Sequence, residues 1–387
     1  MMSANLFDAV RSDRRGLVNM DRLIGEMQRR GLDAVVATSP PNVTYSAGSL
    51  LRSGALLTFV LTRANGEQTV VINEADAYFF KTSSWVEDVR DFPYAATTAI
   101  ANGKALTCLR DSIAESLGAS ARIGLESAYL PAIWYRELER VLSSVSLEDA
   151  NPVFDFARLV KTPREAEVLD LAAYCTDKAI AMAFAMASPG ITERELTSHM
   201  LSNLLLLGAD GLDHGRALSG EHSTVVHAWP SAKCLTEGEI VHADIGGSFA
   251  GYVTDIGRNA VVGTHTAKQH RIYQALYEVQ LNLLDKVRPG VTGAELHEFG
   301  KRYMKAAGLV HPWGTFGHSI GLSVHEGLEL STGSTQPLEV NMVLNLEPSH
   351  IEATDARYHV EDTVLVTDEG PRVLSSYSHR ETFAPIR

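Results

Sequence analysis

In the first third of the chain, the spacing of apolar residues predicts both helices and buried strands. A helix is predicted over residues 20–31, where apolar side chains recur every three or four residues. The segment "LDAVVATSP" (32–40) is a short apolar run ended by prolines, and "ALLTFVLTR" and "QTVVINE" are similar runs, so all three predict buried strands. With a further helix expected over 101–118, this part of the chain predicts an α/β unit with its own sheet.

A break in this pattern near residues 150–162 predicts a domain boundary. The segment "DANPVFDFARLVKTP" mixes turn residues with an extended run, and a strong helix start follows it. The Thr162 hydroxyl can cap the helix, Pro163 suits the first turn and Glu165 stands three residues after the cap. We therefore expect a helix to about Ala187 and two domains, residues 1–157 and 158–387.

The second part of the chain contains an internal repeat. "SPGITERELTSHM" begins at Ser188 and "RPGVTGAELHEFG" begins at Arg288, and each reads as a turn, a threonine cap and a helix. Because proline–glycine turns before helices are common, one such match could arise by chance. If both halves share the same order of elements, the domain is a pseudo-twofold one with helices outside and sheet inside.

Two pairs of acidic residues lie within apolar strands. The segment 239–259 predicts a hairpin in which Asp244 lies directly opposite Asp255, with the turn centred between Phe249 and Ala250. Directly opposed Cβ atoms are about 4.5–5.5 Å apart. A second predicted hairpin places Glu347 opposite Glu361 in the same way, with its turn centred at Thr354.

Buried, opposed carboxylates need compensation for their charge. One route is protonation of an acid whose pKa is strongly raised, and the other is a pair of divalent cations. The alternative is that some of these acids face solvent at a strand end. Two such pairs in one domain favour the compensated arrangements.

Several histidines accompany these acids. The stretch "WGTFGHSIGLSVHEGLEL" contains His318 and His325, and its glycines permit close backbone approach. His318 is the nitrogen ligand that we would choose, with His325 as a supporting or substrate group. His227 alone reads as a surface residue, and His242 shares the strand face of Asp244 as either a supporting or a merely buried group.

Composition narrows the function further. The chain has 387 residues and a formal net charge of −13, which argues against a nucleic-acid or anionic-membrane footprint and leaves a small or peptidic substrate open. No signal peptide and no apolar run of about 18 residues is visible. Three widely spaced cysteines fit neither a disulfide framework nor a thiolate metal site. We expect buried, inert thiols and a cytoplasmic protein.

These residues together resemble the creatinase / aminopeptidase P / prolidase metallopeptidases of the "pita-bread" fold. The resemblance rests on the order of the two aspartates, "GHSIGLSVHE", a glutamate before proline and "VEDTVLVT", and on "GLDAVVATSPPNVTYSAG" near the start. It implies an α+β protein, with a creatinase-like N-terminal α/β domain followed by a pseudo-twofold pita-bread domain of curved antiparallel sheet with helices outside.

The resemblance also implies a metal site and roles for its residues. Two divalent metal ions are implied, with manganese first and cobalt, zinc or iron as alternatives. Asp244 would chelate one ion, Asp255 and Glu361 would bridge both, and His318 and Glu347 would complete the other site. A bridging hydroxide would attack the substrate carbonyl. The implied catalytic residues are Glu347, which would shuttle the proton, and His227 and His325, which would face the substrate.

Two departures from the family pattern bear on the substrate. Proline-cleaving members often carry a histidine four residues before the ligand histidine, where this chain has Gly314. They often carry an arginine two residues before the last glutamate, where this chain has His359, with Arg357 two positions earlier. The departures put Xaa-Pro specificity in doubt and leave the ligand set complete.

Three functions are therefore weighed. The first is a dinuclear metallohydrolase that cleaves Xaa-Pro-type peptides, as a dipeptidase or an aminopeptidase. The alternative is an enzyme of the same fold on a small non-peptide, with creatinase-like or ectoine-hydrolase-like C–N hydrolysis or dimethylsulfoniopropionate lyase activity. A non-catalytic binding module is disfavoured by the intact ligands. The resemblance also implies a homodimer, in which loop 39–56 of one chain borders the site of the other through Asn42, Tyr45, Leu51 and Arg52.

Overall fold

The computed structural model describes residues 2–50, 56–118, 120–378 and 380–387. These residues form two compact units. One comprises Asp8–Arg158, and the other comprises Leu159–Arg387 with a short segment that ends at Phe7. Each unit has its own sheet and its own buried apolar core.

The N-terminal unit contains one six-stranded mixed sheet in the order β4-β3-β2-β1-β5-β6. Its strands are β1 (Ala34–Ala37), β2 (Phe59–Arg63), β3 (Gln68–Asn73), β4 (Asp88–Phe92), β5 (Arg122–Leu125) and β6 (Ser146–Asp149). The helices up to the boundary are α1 (Met2–Ser12), which includes residues of both units, α2 (Met20–Arg30), α3 (Pro40–Ala47), α4 (Glu74–Ser83), α5 (Thr98–Ser116), α6 (Ala132–Val141) and α7 (Asn151–Leu159). Strands β1 and β2 are buried along their whole length, which explains their continuous apolar runs.

The predicted elements of this unit are confirmed with shifted ends. Helix α2 ends where Gly31 adopts a left-handed conformation with φ of 66°. The predicted strand over 32–40 is shorter than expected, because Ser39 caps a new helix and the prolines that follow it occupy the first turn of α3.

Two residues of the loop proposed to border a partner chain, Asn42 and Tyr45, make hydrogen bonds within the N-terminal unit. The Asn42 side chain is buried, donates a hydrogen bond to Glu126 at 2.7 Å and accepts one from Arg158 at 2.8 Å. The Tyr45 hydroxyl accepts a hydrogen bond from the Asn19 backbone. Leu51 and Arg52 lie outside the described residues.

The second unit is built from two halves, each of which begins with two helices followed by antiparallel strands. The first half contains α8 (Pro163–Met186), α9 (Glu193–Leu206), β7 (Gly211–Ser219), a 3₁₀ turn (Gly220–Thr224), β8 (Ile240–Phe249), β9 (Tyr252–Val253) and β10 (Ile256–Val262). The second half contains α10 (Ala267–Leu284), α11 (Gly293–Ala306), β11 (Thr315–Ser319), β12 (Glu329–Ser331), β13 (Val343–Leu346), β14 (Ser349–Glu352), β15 (Ala356–His359), β16 (Asp362–Thr367), β17 (Gly370–Val373) and β18 (Ala384–Ile386). Two five-stranded sheets result, and β18 joins the sheet of the first half beside β10.

Matching hydrogen bonds confirm the pseudo-twofold arrangement. The threonine caps of α9 and α11 both form a capping box with a glutamate three residues later. The Gly190 amide donates to the Leu235 carbonyl at 2.9 Å, and the equivalent Gly290 amide donates to the Leu338 carbonyl at 2.8 Å. The repeated sequence motif therefore marks a repeated structure.

A buried ion cluster ties the two halves together. The Arg258 guanidinium lies 3.0 Å from Asp177 and 3.2 Å from Asp362, and both carboxylates are fully buried. Arg380 and Gln280 also contact the Asp362 carboxylate. Arg258 comes from β10 and Asp362 from β16, so the cluster spans the pseudo-twofold.

Replacing Arg258 with Met is expected to lower the free energy of unfolding by about 3–5 kcal/mol, because buried Asp177 loses its cation and buried Asp362 keeps only Arg380. Urea unfolding followed by circular dichroism measures the loss. The matched control is Arg372→Met, which removes an ion pair between Arg372 and Asp170 at 2.9 Å on the surface. That change is expected to cost at most about 1 kcal/mol. Equal losses in the two variants would contradict the prediction.

Two further expectations concern cysteines and membranes. Cys175 is buried as expected, whereas Cys108 is half-buried and Cys234 is exposed, so the expectation of three buried thiols is wrong for these two. Cys234 is exposed because it lies in the segment between the 3₁₀ turn and β8. Among the described residues, none of the helices combines the length and apolarity needed to cross a bilayer.

Candidate metal centre

The first acidic pair lies on the hairpin formed by β8, β9 and β10, with a register that differs from the prediction. Asp244 pairs with Gly257 rather than with Asp255, and Ile245 pairs with Ile256. The turn is centred between Ala250 and Gly251, both of which have positive φ, at 49° and 86°. Positive φ at both central residues matches the twist of a two-residue hairpin, so the turn sits one residue later than predicted. Since the shift keeps the alternation of strand faces, Asp244 and Asp255 still share one face.

The second acidic pair has the predicted register. Asn345 pairs with Thr363 on β13 and β16, and Ser349 pairs with His359 on β14 and β15, in one continuous register. Glu347 and Glu361 lie opposite each other between these two stretches. They therefore occupy the point at which the strands leave the five-stranded sheet for the two-stranded one.

His318 projects from β11 toward both acidic pairs. Its Nε2 atom lies 3.8 Å from Asp255 Oδ2 and 3.9 Å from Glu347 Oε1, and its ring is almost fully buried. Its Nδ1 atom is 3.2 Å from the Ser319 carbonyl, which can only accept, so Nδ1 donates and Nε2 offers its lone pair to the acids. The close approach expected at Gly317 is confirmed, since an added Cβ would lie 1.9 Å from the Asn345 carbonyl oxygen.

All seven site residues that the sequence suggested line a single cavity of about 410 Å³. They are Asp244, Asp255, His318, Glu347, Glu361, His325 and His227. The other lining residues include Asp213, His214, Arg216, Trp313, Thr315 and Arg357. The structure therefore brings the predicted acids and histidines together and adds cationic and aromatic side chains beside them.

Within the cavity, donor atoms form two overlapping groups. One group is His214, Asp244 and Asp255, and the other is Asp255, His318 and Glu361, each with donor atoms within 4.8 Å of one another. Asp255 belongs to both groups. The arrangement of one shared carboxylate between two sets of donors suits a pair of ions close together.

Two of the clustered acids have raised pKa values, as expected where buried carboxylates lie close together. Burial, reinforced by the charges of Asp255 and Asp244, raises the pKa of Glu347 to about 8. Burial also raises the pKa of Glu361 well above its usual value, with Asp255 and Glu347 adding to the effect. Without a cation, these two acids would hold protons at neutral pH.

A histidine nitrogen without a hydrogen-bond partner is a second feature that suits a cation site. The Nε2 atom of His359 is buried without a hydrogen-bond partner, 3.7 Å from Glu347 Oε2 and 3.8 Å from Glu361 Oε2. Four carboxylates with imidazole nitrogens are donors that suit divalent ions such as Mn, Fe, Co and Zn. The residues present therefore fit a divalent metal centre.

Sequence reasoning missed two residues of the cavity, His214 and Arg216. Both project from β7, with Arg216 paired to Asp244 and His214 paired to Gly246. The Arg216 Nε atom lies 3.3 Å from Asp244 Oδ2. The signal that could have found them is the alternation of polar and small residues in "DHGRALSG", which puts His214 and Arg216 on one strand face.

A pair of buried histidines lies behind the acids. His242 Nε2 is 3.0 Å from His359 Nδ1, and Arg357 lies 3.4 Å from the same nitrogen. Burial, followed by the charge of Arg357, holds the pKa of both histidines well below the usual value. Arg357 also packs 5.1 Å over the ring of Trp313. His242 is thus a buried partner of His359 rather than a group that lines the cavity.

The two histidines expected to face substrate have different settings. His325 stacks on His318 with ring centroids 3.8 Å apart, and its Nδ1 atom lies 2.8 Å from Glu329 Oε1. The hydrogen bond to Glu329 raises the pKa of His325. His227 is exposed, in the segment after the 3₁₀ turn.

Comparisons with known proteins agree with this architecture. The chain is 27% identical over 361 residues to the uncharacterized peptidase YqhT of Bacillus subtilis, covering 93% of this chain and 97% of that protein. It is 26% identical to an Xaa-Pro dipeptidase of Pyrococcus furiosus, covering 92% and 97%. The crystal structure of dipeptidase PepE from Mycobacterium ulcerans superposes with a TM-score of 0.81 at 26% identity, covering 95% and 97%.

Two family models match consecutive parts of the chain. The creatinase/prolidase N-terminal domain matches residues 20–160, and metallopeptidase family M24 matches residues 167–368. The predicted fold, a creatinase-like N-terminal domain followed by a pita-bread domain, is confirmed. Because the second match covers more than half of the 387 residues, the chain belongs to metallopeptidase family M24 and is a peptidase.

Proposed function

We propose that this peptidase is a dinuclear metal-dependent hydrolase of short Xaa-Pro-type peptides, acting as a dipeptidase or aminopeptidase. The observation that carries the proposal is the convergence of four acids and His318 on one cavity, with Asp255 common to two donor groups. The similarity to an Xaa-Pro dipeptidase and to dipeptidase PepE supports the peptide substrate.

The donor set supports one assignment of ligands. Asp244 would hold one ion, Asp255 and Glu361 would bridge the two, and His318 and Glu347 would complete the second site. Manganese is our first choice of metal, with cobalt, zinc or iron as alternatives, because carboxylates dominate the set. When bound, such ions activate water at neutral pH and polarise the scissile carbonyl.

The chain's own residues would position the substrate and move the proton. Glu347 would take a proton at a carboxylate oxygen and return it to the leaving nitrogen, because its carboxylate lines the cavity beside the other acids and the histidines. The exposed ring of His325 and the His227 imidazole line the same cavity and would hold the substrate carbonyl and the residue to be cleaved.

The cavity also favours a short, anionic substrate. Its volume of about 410 Å³ is that of a small-molecule site. Arg216 and Arg357 both line it, and a guanidinium pairs well with a carboxylate. Trp313 adds an apolar wall. A dipeptide fits this cavity because it is short and because its free carboxylate, which can pair with an arginine, lies close to the scissile bond.

A second candidate is an enzyme of the same fold on a small non-peptide, such as creatinase-like or ectoine-hydrolase-like C–N hydrolysis or dimethylsulfoniopropionate cleavage. Two observations favour it. Gly314 leaves open space where proline-cleaving relatives often carry a histidine, and His359 is turned to the acids in place of an arginine. A homodimer and a cytoplasmic location remain predictions that rest on the resemblance.

We expect the purified protein to release proline from Ala-Pro when loaded with Mn²⁺, Co²⁺ or Zn²⁺, and to lose this activity after dialysis against a chelator. Restoring each ion separately identifies the preferred metal. Ala-Ala is the matched control for proline selectivity. If the metal-loaded protein cleaves neither Ala-Pro nor Ala-Ala, the small non-peptide candidate is favoured. If the protein binds no metal, the proposal is overturned.

A further inference from the structure

His214 lies against both aspartates of the candidate metal centre. Its Nε2 atom is 3.0 Å from Asp255 Oδ1 and 3.2 Å from Asp244 Oδ1. Its other nitrogen, Nδ1, is 2.9 Å from Asp213 Oδ2. Three carboxylates thus surround one imidazole, which projects from β7 into the cavity and keeps 22% of its side chain exposed.

The position of the proton on the His214 ring decides how the ring interacts with these carboxylates. Because a carboxylate only accepts hydrogen bonds, the tautomer that satisfies Asp213 is the one in which the Nδ1–H of His214 donates to it. In the neutral ring, the Nε2 lone pair then faces two carboxylates. That contact is repulsive unless a cation lies among the three atoms.

We propose that His214 is a metal ligand, which completes one of the two metal sites with Asp244 and Asp255. The inference rests on the dinuclear centre of the proposed function and adds a ligand that the family pattern does not include. Each site then has one imidazole, His214 in the first and His318 in the second.

The spacing of the donor atoms supports this role. Ligand atoms about 2.1 Å from one ion lie about 3.0–3.4 Å from their neighbours. The distances from His214 Nε2 to the two aspartates fall within this range. Arg216 contacts the other oxygen of Asp244, Oδ2, and so leaves Oδ1 to the ion.

Asp213 has the position of a supporting residue for such a ligand. Metal-binding histidines usually donate their second ring nitrogen to a carboxylate or carbonyl, which fixes the ring and raises its basicity. Asp213 makes this contact with His214, and the Ser319 carbonyl makes it with His318. Both imidazoles are therefore oriented in the same way. In each, an acceptor at Nδ1 leaves Nε2 facing the acids.

The competing arrangement is a permanent imidazolium. A doubly protonated His214 would donate from Nε2 to both aspartates and occupy the place of one ion. The centre would then bind a single metal, held by His318, Glu347 and Glu361 with Asp255. Metal counting distinguishes the two arrangements because they differ by one ion per chain.

The test is metal binding to His214→Gln, Asp213→Asn and the wild type. Metal-free protein is titrated with Co²⁺, with bound metal counted by elemental analysis and coordination followed by visible absorption. We expect two ions per wild-type chain and a loss of at least about 100-fold in affinity at one site of His214→Gln. Asp213→Asn, which keeps the imidazole, should lose about 10–100-fold at the same site.

The matched control is His270→Gln, which removes an exposed histidine from α10 and should bind Co²⁺ like the wild type. Two ions bound with unchanged affinity by His214→Gln would overturn the inference and leave the dinuclear centre intact. One ion per wild-type chain, rising to two in His214→Gln, would mean that the imidazolium replaces an ion and would also overturn it. No binding by the wild type would overturn both the inference and the proposed function.

Discussion

Glu347→Gln is expected to reduce turnover of the preferred substrate by at least about 10²–10⁴-fold, the range that a positioned acid–base group contributes. The amide keeps the size of the side chain but cannot accept and return a proton. The carboxylate of Glu347 is placed for that task, because it lines the same cavity as His318, His325 and the other acids. Steady-state kinetics with saturating metal measure the loss as a fall in kcat.

The change also removes a proposed ligand, so metal content has to be measured with the rate. The matched control is Glu352→Gln, on β14, which loses partly exposed pairs with Lys268 at 3.4 Å and with His350 at 4.0 Å. Its kcat should stay close to that of the wild type. A Glu347→Gln variant with full metal occupancy and near-normal kcat would refute the role of Glu347.

Local sequence signals predicted the helix starts and one of the two hairpins. The boxes that begin α8, α9 and α11 depend on residues three apart in sequence, so each is visible without the rest of the fold. The register of Glu347 and Glu361 was predicted because the polar segment between their strands is centred on the turn.

The exact register of the other hairpin, which carries Asp244 and Asp255, could not be predicted from the sequence. Its turn uses Ala250 with positive φ, a conformation that non-glycine residues rarely adopt and that no preference of alanine would suggest. The glycine-rich segment offered several turn positions, and the twist of the paired strands selected one. Asp244 and Asp255 were still predicted on one face, because the error preserved the alternation.

His214 was missed because it lies directly after an irregularity at the start of its strand. The pairing of β7 with β8 shifts register between Leu212 and His214, so a bulge separates the start of the strand from the face that meets Asp244. A bulge places two residues against one, and its position depends on both strands. Alternation beyond the bulge puts His214 and Arg216 on one face, and the pairing with β8 shows that this face meets the acids.

The same clustered charges predict how the protein behaves without metal. Glu347 and Glu361 have raised pKa values for which burial is the largest cause, so the folded, metal-free protein keeps their protons above the ordinary glutamate pKa of about 4.3. The unfolded chain releases these protons. Each such group therefore lowers stability as pH rises, until its folded pKa is reached.

The histidines of this region add contributions of both signs. Burial is the largest effect at His214 and would lower its pKa, but the neighbouring aspartates outweigh it and raise that pKa far above 6.5. His214, and His325 with its pKa raised by the hydrogen bond to Glu329, therefore lower stability as pH rises above about 6.5. Burial lowers the pKa of four others, which add stability as pH rises toward about 6.5 and nothing above it. These four are His242, His311, His318 and His359.

Chelated protein is therefore expected to be most stable near pH 6.5 and to lose stability up to about pH 8, by about 1.4 kcal/mol per pH unit for each proton involved. With saturating Mn²⁺ the part of this fall that comes from Glu347 and Glu361 should disappear, because bound cations keep these two acids ionised when folded. Urea midpoints at half-unit pH steps measure both curves. Chelated Glu347→Gln should show a shallower fall, by one proton. Identical curves with and without Mn²⁺ would mean that these acids do not hold the metal.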